Sequence, residues 1–344
     1  MTFTELRGVS PAMTTPFHED GSIDFETLRA DAQRLVDAGV DGLVPVGSTG
    51  ESATLSHDEH IEVVEAVVDA VGDDVPVIAG SGSNNTAEAL SLSRRSAEAG
   101  ADALLLISPY YNKPEPQGMY EHYRTVADEV DLPQIVYNVP GRTGQNISVD
   151  TTVDLASHPN ILGYKAASGD LNQVSEIVER TQDEDFSVLA GDDGLILPTL
   201  SVGGRGTISV VANIEPERTV DMVHSALDDD YERARERHHE LGPLMRALFW
   251  ETNPIPVNEA MAIRGYGPGH VRLPLTRLSE AGHDVVVRVL SVVKPDLNVS
   301  EVHTRSSTPA PLVGQHTRPC DRTSAVPPRG SAPEDGCPGG SIAG

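Results

Sequence analysis

Cysteine is missing from almost the whole chain: the only two, Cys320 and Cys337, lie within the last 25 of 344 residues. The body of the protein therefore has no disulfide scaffold, no thiolate metal site and no cysteine nucleophile, and the compartment is reducing or indifferent to redox. Lysine is nearly as scarce. Of 25 basic residues only Lys113, Lys165 and Lys294 are lysines, and the rest are arginines. No apolar stretch approaches the ~20 residues that span a bilayer. The first ten residues, MTFTELRGVS, lack both a basic n-region and an apolar h-region, so no signal peptide is expected and a cytoplasmic location is. The Asn-x-Ser/Thr triplets at Asn84, Asn146 and Asn298 are then silent. Positive charge is short overall: 52 acidic residues leave a formal net charge of -27. Such a surface repels nucleic acid and anionic membranes, and neither is expected as a partner.

An acidic, lysine-poor surface resembles that of proteins from salt-loving archaea. In concentrated salt the Debye length falls to ~3 Å or less, which makes such self-repulsion tolerable. An ordinary acidic cytosolic enzyme is the alternative. The length suits one large core, and a barrel of roughly 250 residues can be a single domain.

Short apolar runs punctuate the first two-thirds of the chain, at 9–17, 43–46, 75–79, 103–107, 134–139, 161–164, 187–190 and 207–211. Between them lie segments with helical spacing, such as Ile61, Val64, Val68 and Val71. Ser56 and Glu59 form a capping box at the start of that segment. A weak repeat supports the alternation: Ala38-Gly39-Val40-Asp41-Gly42-Leu43 returns as Ala99-Gly100-Ala101-Asp102-Ala103-Leu104. Eight strand candidates separated by helices imply a parallel sheet flanked by helices. The count, and the absence of GxGxxG after the first strand, favour an α/β (β/α)8 TIM barrel over an open doubly wound sheet. Residues 1–227 are expected to form this catalytic barrel. Residues 228–300 read as a C-terminal three-helix extension, with helices over 231–250, 254–263 and 279–293. Residues 301–344, rich in Pro, Gly, Ser and Thr, read as a disordered low-complexity tail.

In a barrel of this kind chemistry sits at the C-terminal ends of the strands. Lys165, in the strand end Tyr164-Lys165-Ala166-Ala167-Ser168-Gly169, is the most informative residue there. A chain that has nearly eliminated lysine keeps one in an apolar strand end, where an ammonium is costly. Desolvation lowers a lysine pKa, and the neutral amine condenses with carbonyls. A structural ion pair or a lysine snorkelling to the rim is the bland alternative. Tyr137 ends the neighbouring strand candidate, where its phenol can move protons. Ser48, Thr49 and Tyr111 add hydroxyls, each of which alone is as well explained as a satisfied core or rim group. The turn Gly47-Ser48-Thr49-Gly50 offers backbone N–H groups to a small carboxylate, or is simply a tight turn. Arg142, on a glycine-flanked loop, is placed to grip a carboxylate, or is a surface arginine. Asp192-Asp193 reads as a structural turn rather than a metal site. His238-His239 reads as a solvated helix face, and Asp228-Asp229-Asp230 as a helix N-terminus.

Taken together, GSTGESATLSHDEH, PVIAGSGSNNTAEA, PYYNKPEPQGMYEHY, LPQIVYNVPGRTG, YKAASG, AGDD and NPIPVN resemble the dihydrodipicolinate synthase family. That family belongs to the pyruvate-dependent N-acetylneuraminate lyase superfamily. The resemblance runs from about Gly8 to Val293. It implies that Lys165 forms a Schiff base with pyruvate, with Tyr137 as proton donor and acceptor. Ser48 and Tyr111 would complete the relay, Tyr111 reaching in from a neighbouring subunit of a homotetramer. Thr49 and the backbone of Ile208 would hold the pyruvyl group, and Arg142 the carboxylate of L-aspartate-4-semialdehyde. No metal or organic cofactor is implied. In feedback-inhibited members lysine binds at positions matching Ser52, Ala53, His57, His60, Asn84, Glu88 and Tyr110. Two departures bear on substrate identity: Ser48 stands where the synthases usually carry Thr, and Ala166 where they usually carry Glu. A 2-keto-3-deoxy sugar-acid aldolase and a catalytically silent keto-acid or lysine sensor are the competing readings. Arg142 argues against the first, and the Lys165–Tyr137 pair against the second.

Overall fold

The structure, a computed structural model, describes residues 6–293. The tail expected over 301–344 lies outside them. Seven strands, β1 (Gly8–Pro11), β2 (Ile78–Gly80), β3 (Ala103–Ile107), β4 (Gln134–Asn138), β5 (Ile161–Ala166), β6 (Ser187–Ala190) and β7 (Gly206–Ser209), form one curled sheet. Their order is β1-β7-β6-β5-β4-β3-β2, and every pairing is parallel. Helices fill the connections, as parallel crossovers require.

The apolar run at 43–46, expected as a strand, makes only isolated parallel bridges, Ala12 with Val44 and Leu43 with Val77. Its backbone nonetheless bonds in both directions. Val44 N donates to Pro11 O at 3.0 Å, while Leu43 O and Pro45 O accept from Ile78 N (2.8 Å) and Gly80 N (3.1 Å). The run stays short for a local reason. Pro45 has no N–H to give, and Val46 turns into the left-handed region at φ 51°. The turn also brings the Val46 carbonyl so close to Gly80 that a Cβ there would lie 2.4 Å from its oxygen.

Helix starts are written in the sequence. Ser56 and Glu59 form both halves of the capping box that opens His57–Val71. Asp24, Asn85, Ser148 and Asp170 cap Phe25–Asp37, Thr86–Glu98, Val149–Ala156 and Leu171–Arg180. The repeated Ala-Gly-x-Asp motif has a physical basis as well. Gly39 and Gly100, at φ 83° and 93°, turn the chain after a helix. The aspartate two residues on then accepts the N–H that opens the preceding strand segment: Asp41 from Val9 (2.8 Å) and Asp102 from Val77 (2.9 Å). Helices Tyr231–Ala247, Ile255–Arg264 and Glu280–Val293 occupy the C-terminal part, each within a few residues of expectation. Asp230 caps the first of them, as the acidic run there predicts. Among the described residues no helix is long and apolar enough to cross a membrane.

Side chains alternate across the sheet with period two. Leu104, Leu106, Val136 and Tyr164 join the outer hydrophobic cluster against the helices. Leu105, Ile135, Tyr137, Leu189 and Ile208 belong to a separate inner cluster. Lys165 follows the same alternation, two residues beyond Gly163. A Cβ on Gly163 would stand 2.6 Å from Leu6, which fills the space there. A lysine at 165, rather than at 164 or 166, therefore shares the inner face with Tyr137.

Candidate active site

β4 and β5 pair in register, Tyr137 opposite Lys165, and this sets the centre of the site. The Lys165 amine lies 4.2 Å from the centroid of the Tyr137 ring. Both residues are only 6% exposed. Burial drives the Lys165 pKa down from 10.5 to about 7; the Asp193 carboxylate opposes the shift and the Arg142 charge adds to it. Burial pushes the Tyr137 phenol up, while the Arg142 charge and a hydrogen bond with Ser48 pull it back. Near neutral pH the amine is thus substantially uncharged and the phenol keeps its proton.

Room for the lysine comes from β6. A Cβ on Gly191, just beyond Ala190, would lie 2.9 Å from both Cγ and Cε of Lys165. Asp193 follows in the same strand-end loop. Its Oδ1 accepts from the Ser209 hydroxyl (2.7 Å) and Val210 N (3.2 Å), and its Oδ2 from Val211 N (2.7 Å). The turn expected at Asp192-Asp193 is there, with Asp192 capping Gly194 N at 3.0 Å. Asp193 is more than a turn residue, being a buried carboxylate whose charge reaches Lys165. Burial raises its own pKa to about 6, against the pull of Ser209 and Val211. Among the described residues no cluster of His, Cys, Asp and Glu is arranged to hold a metal ion.

The loop after 43–46 brings in Ser48 and Thr49. Ser48 reaches Tyr137. Thr49, buried, accepts a hydrogen bond from the Asn253 side chain at 3.0 Å. Two N–H groups of this loop serve the turn itself, Glu51 N to Ser48 O (3.3 Å) and Ser52 N to Gly47 O (3.2 Å). Arg142 stands on the short helix Pro140–Thr143 that follows β4, and its guanidinium donates to the Asn253 carbonyl at 2.6 Å. Ile208 lies in β7 on the inner face. Ala166 packs in the outer cluster instead, on the opposite face of β5 from Lys165.

Tyr111 is set apart from this group. It is 90% exposed, at φ 71°, and within one chain it does not join Tyr137. The seven effector positions divide. Glu88 meets His57 (3.2 Å) and forms a short hydrogen bond with Ser83, and the Asn84 amide donates to the Tyr110 carbonyl at 3.1 Å. Ser52 is partly exposed and Ala53 exposed. His60 differs from the rest. Its Nε2 is bonded to Gly80 O at 2.6 Å, and burial takes its pKa down to about 4. Through that one nitrogen the neutral ring ties its helix to β2. His238, expected on a solvated face, is half-buried and its pKa is lowered by burial, whereas His239 is exposed.

Sequence reasoning named Lys165, Tyr137, Ser48, Thr49 and Arg142, and the structure brings these together. It passed over Gly191 and Asn253 as site residues and gave Asp193 only a turn. All three lay in motifs already singled out, AGDD and NPIPVN. A depressed amine, a protonated phenol with a hydroxyl behind it, and an arginine beside them suit addition of an amine to a carbonyl with proton transfer alongside.

The model of the dihydrodipicolinate synthetase family matches residues 5–293. A 4-hydroxy-tetrahydrodipicolinate synthase of Haloarcula marismortui is 75% identical over 296 residues, covering 86% of this chain and 96% of the relative. Among solved structures, the dihydrodipicolinate synthase of Aquifex aeolicus is 43% identical with a TM-score of 0.82, covering 85% of this chain and 99% of that one. The enzyme of Cyanidioschyzon merolae with lysine bound is 38% identical with a TM-score of 0.81, again over 85% and 99% of the two chains.

Proposed function

The chain belongs to the dihydrodipicolinate synthetase family, and we infer that it works as a 4-hydroxy-tetrahydrodipicolinate synthase. It condenses pyruvate, held as a lysine Schiff base, with L-aspartate-4-semialdehyde in lysine and diaminopimelate biosynthesis. The observation that carries this is the buried Lys165 amine, its pKa brought down to about 7, stacked 4.2 Å from Tyr137.

In the proposed mechanism the neutral Lys165 amine attacks the keto carbon of pyruvate. Tyr137 gives a proton to the carbinolamine oxygen, water leaves, and an imine remains. Loss of a methyl proton gives the enamine, whose carbon adds to the aldehyde. The amino group of the second substrate then displaces Lys165, closing the ring and freeing the enzyme. Ser48 refills Tyr137 with protons, and Tyr111 of a neighbouring subunit completes the relay. Thr49 and the Ile208 backbone hold the pyruvyl group, and Arg142 holds the semialdehyde carboxylate. No cofactor is needed.

The bonds that the 43–46 segment makes to both β1 and β2 support reading the curled sheet as a closed eight-membered (β/α)8 barrel. In this reading residues 1–227 are the catalytic unit and 228–300 a helical extension. A homotetramer supplies the partner tyrosine, and the acidic surface suits a salt-rich cytoplasm. A lysine effector site around Glu88, His57, His60, Asn84, Tyr110, Ser52 and Ala53 is a further part of the proposal. Support comes from the cluster's geometry and from the related enzyme that holds lysine.

The deciding experiment incubates purified protein in molar KCl with pyruvate and borohydride, then maps the adduct and assays turnover. Label on Lys165, and faster turnover of aspartate semialdehyde than of a 2-keto-3-deoxy sugar acid, are expected. Label elsewhere, or undiminished in Lys165→Ala, would sink the mechanism. Preference for the sugar acid would hand the chain to the aldolases.

A further inference from the structure

We propose that Asn253 is a positioning residue that fixes the direction of the Thr49 hydroxyl and the station of Arg142, so that the two carboxylate-binding groups are held from one point. The proposal rests on the functional reading above, in which Thr49 holds pyruvate and Arg142 the semialdehyde.

Asn253 is buried in the segment between helices Tyr231–Ala247 and Ile255–Arg264. It is 204 residues from Thr49 and 111 from Arg142, so no local folding rule makes these three meet. Its amide nitrogen donates to Thr49 Oγ1 at 3.0 Å. An amide nitrogen only donates, so this bond occupies a lone pair of the hydroxyl and leaves its proton to point away. Thr49 is 3% exposed, and a buried hydroxyl proton needs an acceptor. Among the described residues that proton has none. A carboxylate entering beside Lys165 supplies one. Without the amide the hydroxyl rotates freely, and part of the binding energy goes into stopping it.

The other half of the contact is backbone. The Asn253 carbonyl accepts from one terminal nitrogen of Arg142 at 2.6 Å. A guanidinium has five N–H donors in a rigid fork, so one bond orients the group and leaves the remainder for a ligand carboxylate. This bond survives any substitution of the Asn253 side chain, and that separates the two roles. Side-chain variants act on pyruvate through Thr49 and leave the Arg142 contact in place.

The test uses the full chain in molar KCl. It measures the pyruvate concentration that half-saturates borohydride labelling of Lys165, the KM for each substrate, and kcat. Asn253→Ala is expected to raise the half-saturating pyruvate concentration about fivefold, the loss of roughly one net hydrogen bond. Maximal labelling and the semialdehyde KM should change little. Asn253→Asp keeps the shape but can only accept. It draws the Thr49 proton to itself and should weaken pyruvate at least as much, which serves as the check if the alanine variant fails to fold. In a Thr49→Val background Asn253→Ala should add almost nothing. Wild-type constants in Asn253→Asp, or full additivity of Asn253→Ala with Thr49→Val, would overturn the proposal. A wild-type protein that takes no label at all would instead defeat the functional reading itself.

Discussion

A lysine kept neutral by burial weakens the fold that buries it, and Lys165→Met should release that cost. The folded pKa is about 7, against 10.5 for the free side chain. Between those values the unfolded chain binds a proton that the folded chain does not. Wild-type stability therefore rises with pH across that window, and below about 7 the full penalty applies. At ~1.36 kcal/mol per pKa unit, the cost at pH 7.5 is about 4 kcal/mol, falling to about 1 kcal/mol by pH 10. Methionine has a similar length, fits the channel beside Gly191 and carries no charge. Lys165→Met should therefore be more stable than wild type by up to ~4 kcal/mol at pH 7.5, with most of the gain gone at pH 10. Denaturant unfolding of both proteins at the two pH values, at constant high KCl, measures it. Taking the difference between variants at each pH cancels the titration of the other acidic groups. A gain equal at both pH values would mean that packing, not desolvation of a charge, separates the variants. No gain at pH 7.5 would mean that Lys165 stays charged in the fold, and the case for a neutral nucleophile would go with it.

Gly191→Ala places a methyl 2.9 Å from Lys165 Cγ and Cε and 3.1 Å from Ala166 O, and backbone cannot yield as a side-chain tip does. It should cost about 1–3 kcal/mol of stability and slow trapping of the pyruvate adduct by at least ~tenfold; a wild-type trapping rate would show that the lysine has other room. Arg142→Ala removes a charge-assisted contact worth ~1.5–3 kcal/mol, so the semialdehyde KM should rise while labelling by pyruvate persists. Unaffected semialdehyde turnover would strengthen the aldolase reading. L-Lysine at millimolar concentration should inhibit partially, and Glu88→Ala should weaken the effect. A flat titration at constant ionic strength, with no heat of binding, would reduce the cluster to a helix start.

Most of the fold was legible because its signals are local. The capping box, the Asx and Ser caps and the Gly-then-Asp repeat each act within a few residues, and seven of the eight apolar runs form ladder strands. The eighth failed as a strand for an equally local reason, Pro45 followed by a left-handed Val46, and makes only isolated bridges, Ala12 with Val44 and Leu43 with Val77. Lys165 was legible because lysine is so rare that a buried one stands out. Tyr137, Ser48, Thr49 and Arg142 were legible as polar groups at strand ends, but the residues that support them were not, because those are brought in by distance in the chain. Asp193 looks like a turn until the end of β7 is seen to point three donors at it. Asn253 is unremarkable until a helix-flanking segment 204 residues on meets Thr49. His60 reads as a free polar group at a helix start, and only β2 shows where its ring goes.

The misjudged aspartate also explains why the lysine is poised where it is. Desolvation is the largest influence on Lys165 and lowers its pKa, and Asp193 is the influence that opposes it. Burial unaided would carry the amine further down, giving a fully neutral but weakly basic nucleophile. An amine works best with a pKa near the operating pH, where it is largely unprotonated yet still basic enough to attack. Asp193 does this only while ionised, and its own pKa of about 6 leaves it mostly so at neutral pH. The bonds from Ser209 and Val211 help to hold it there by opposing the desolvation that would neutralise it. The end of β7 is thus tied to the Lys165 amine on β5: the donors that stabilise the Asp193 carboxylate keep the charge that holds the Lys165 pKa up against burial.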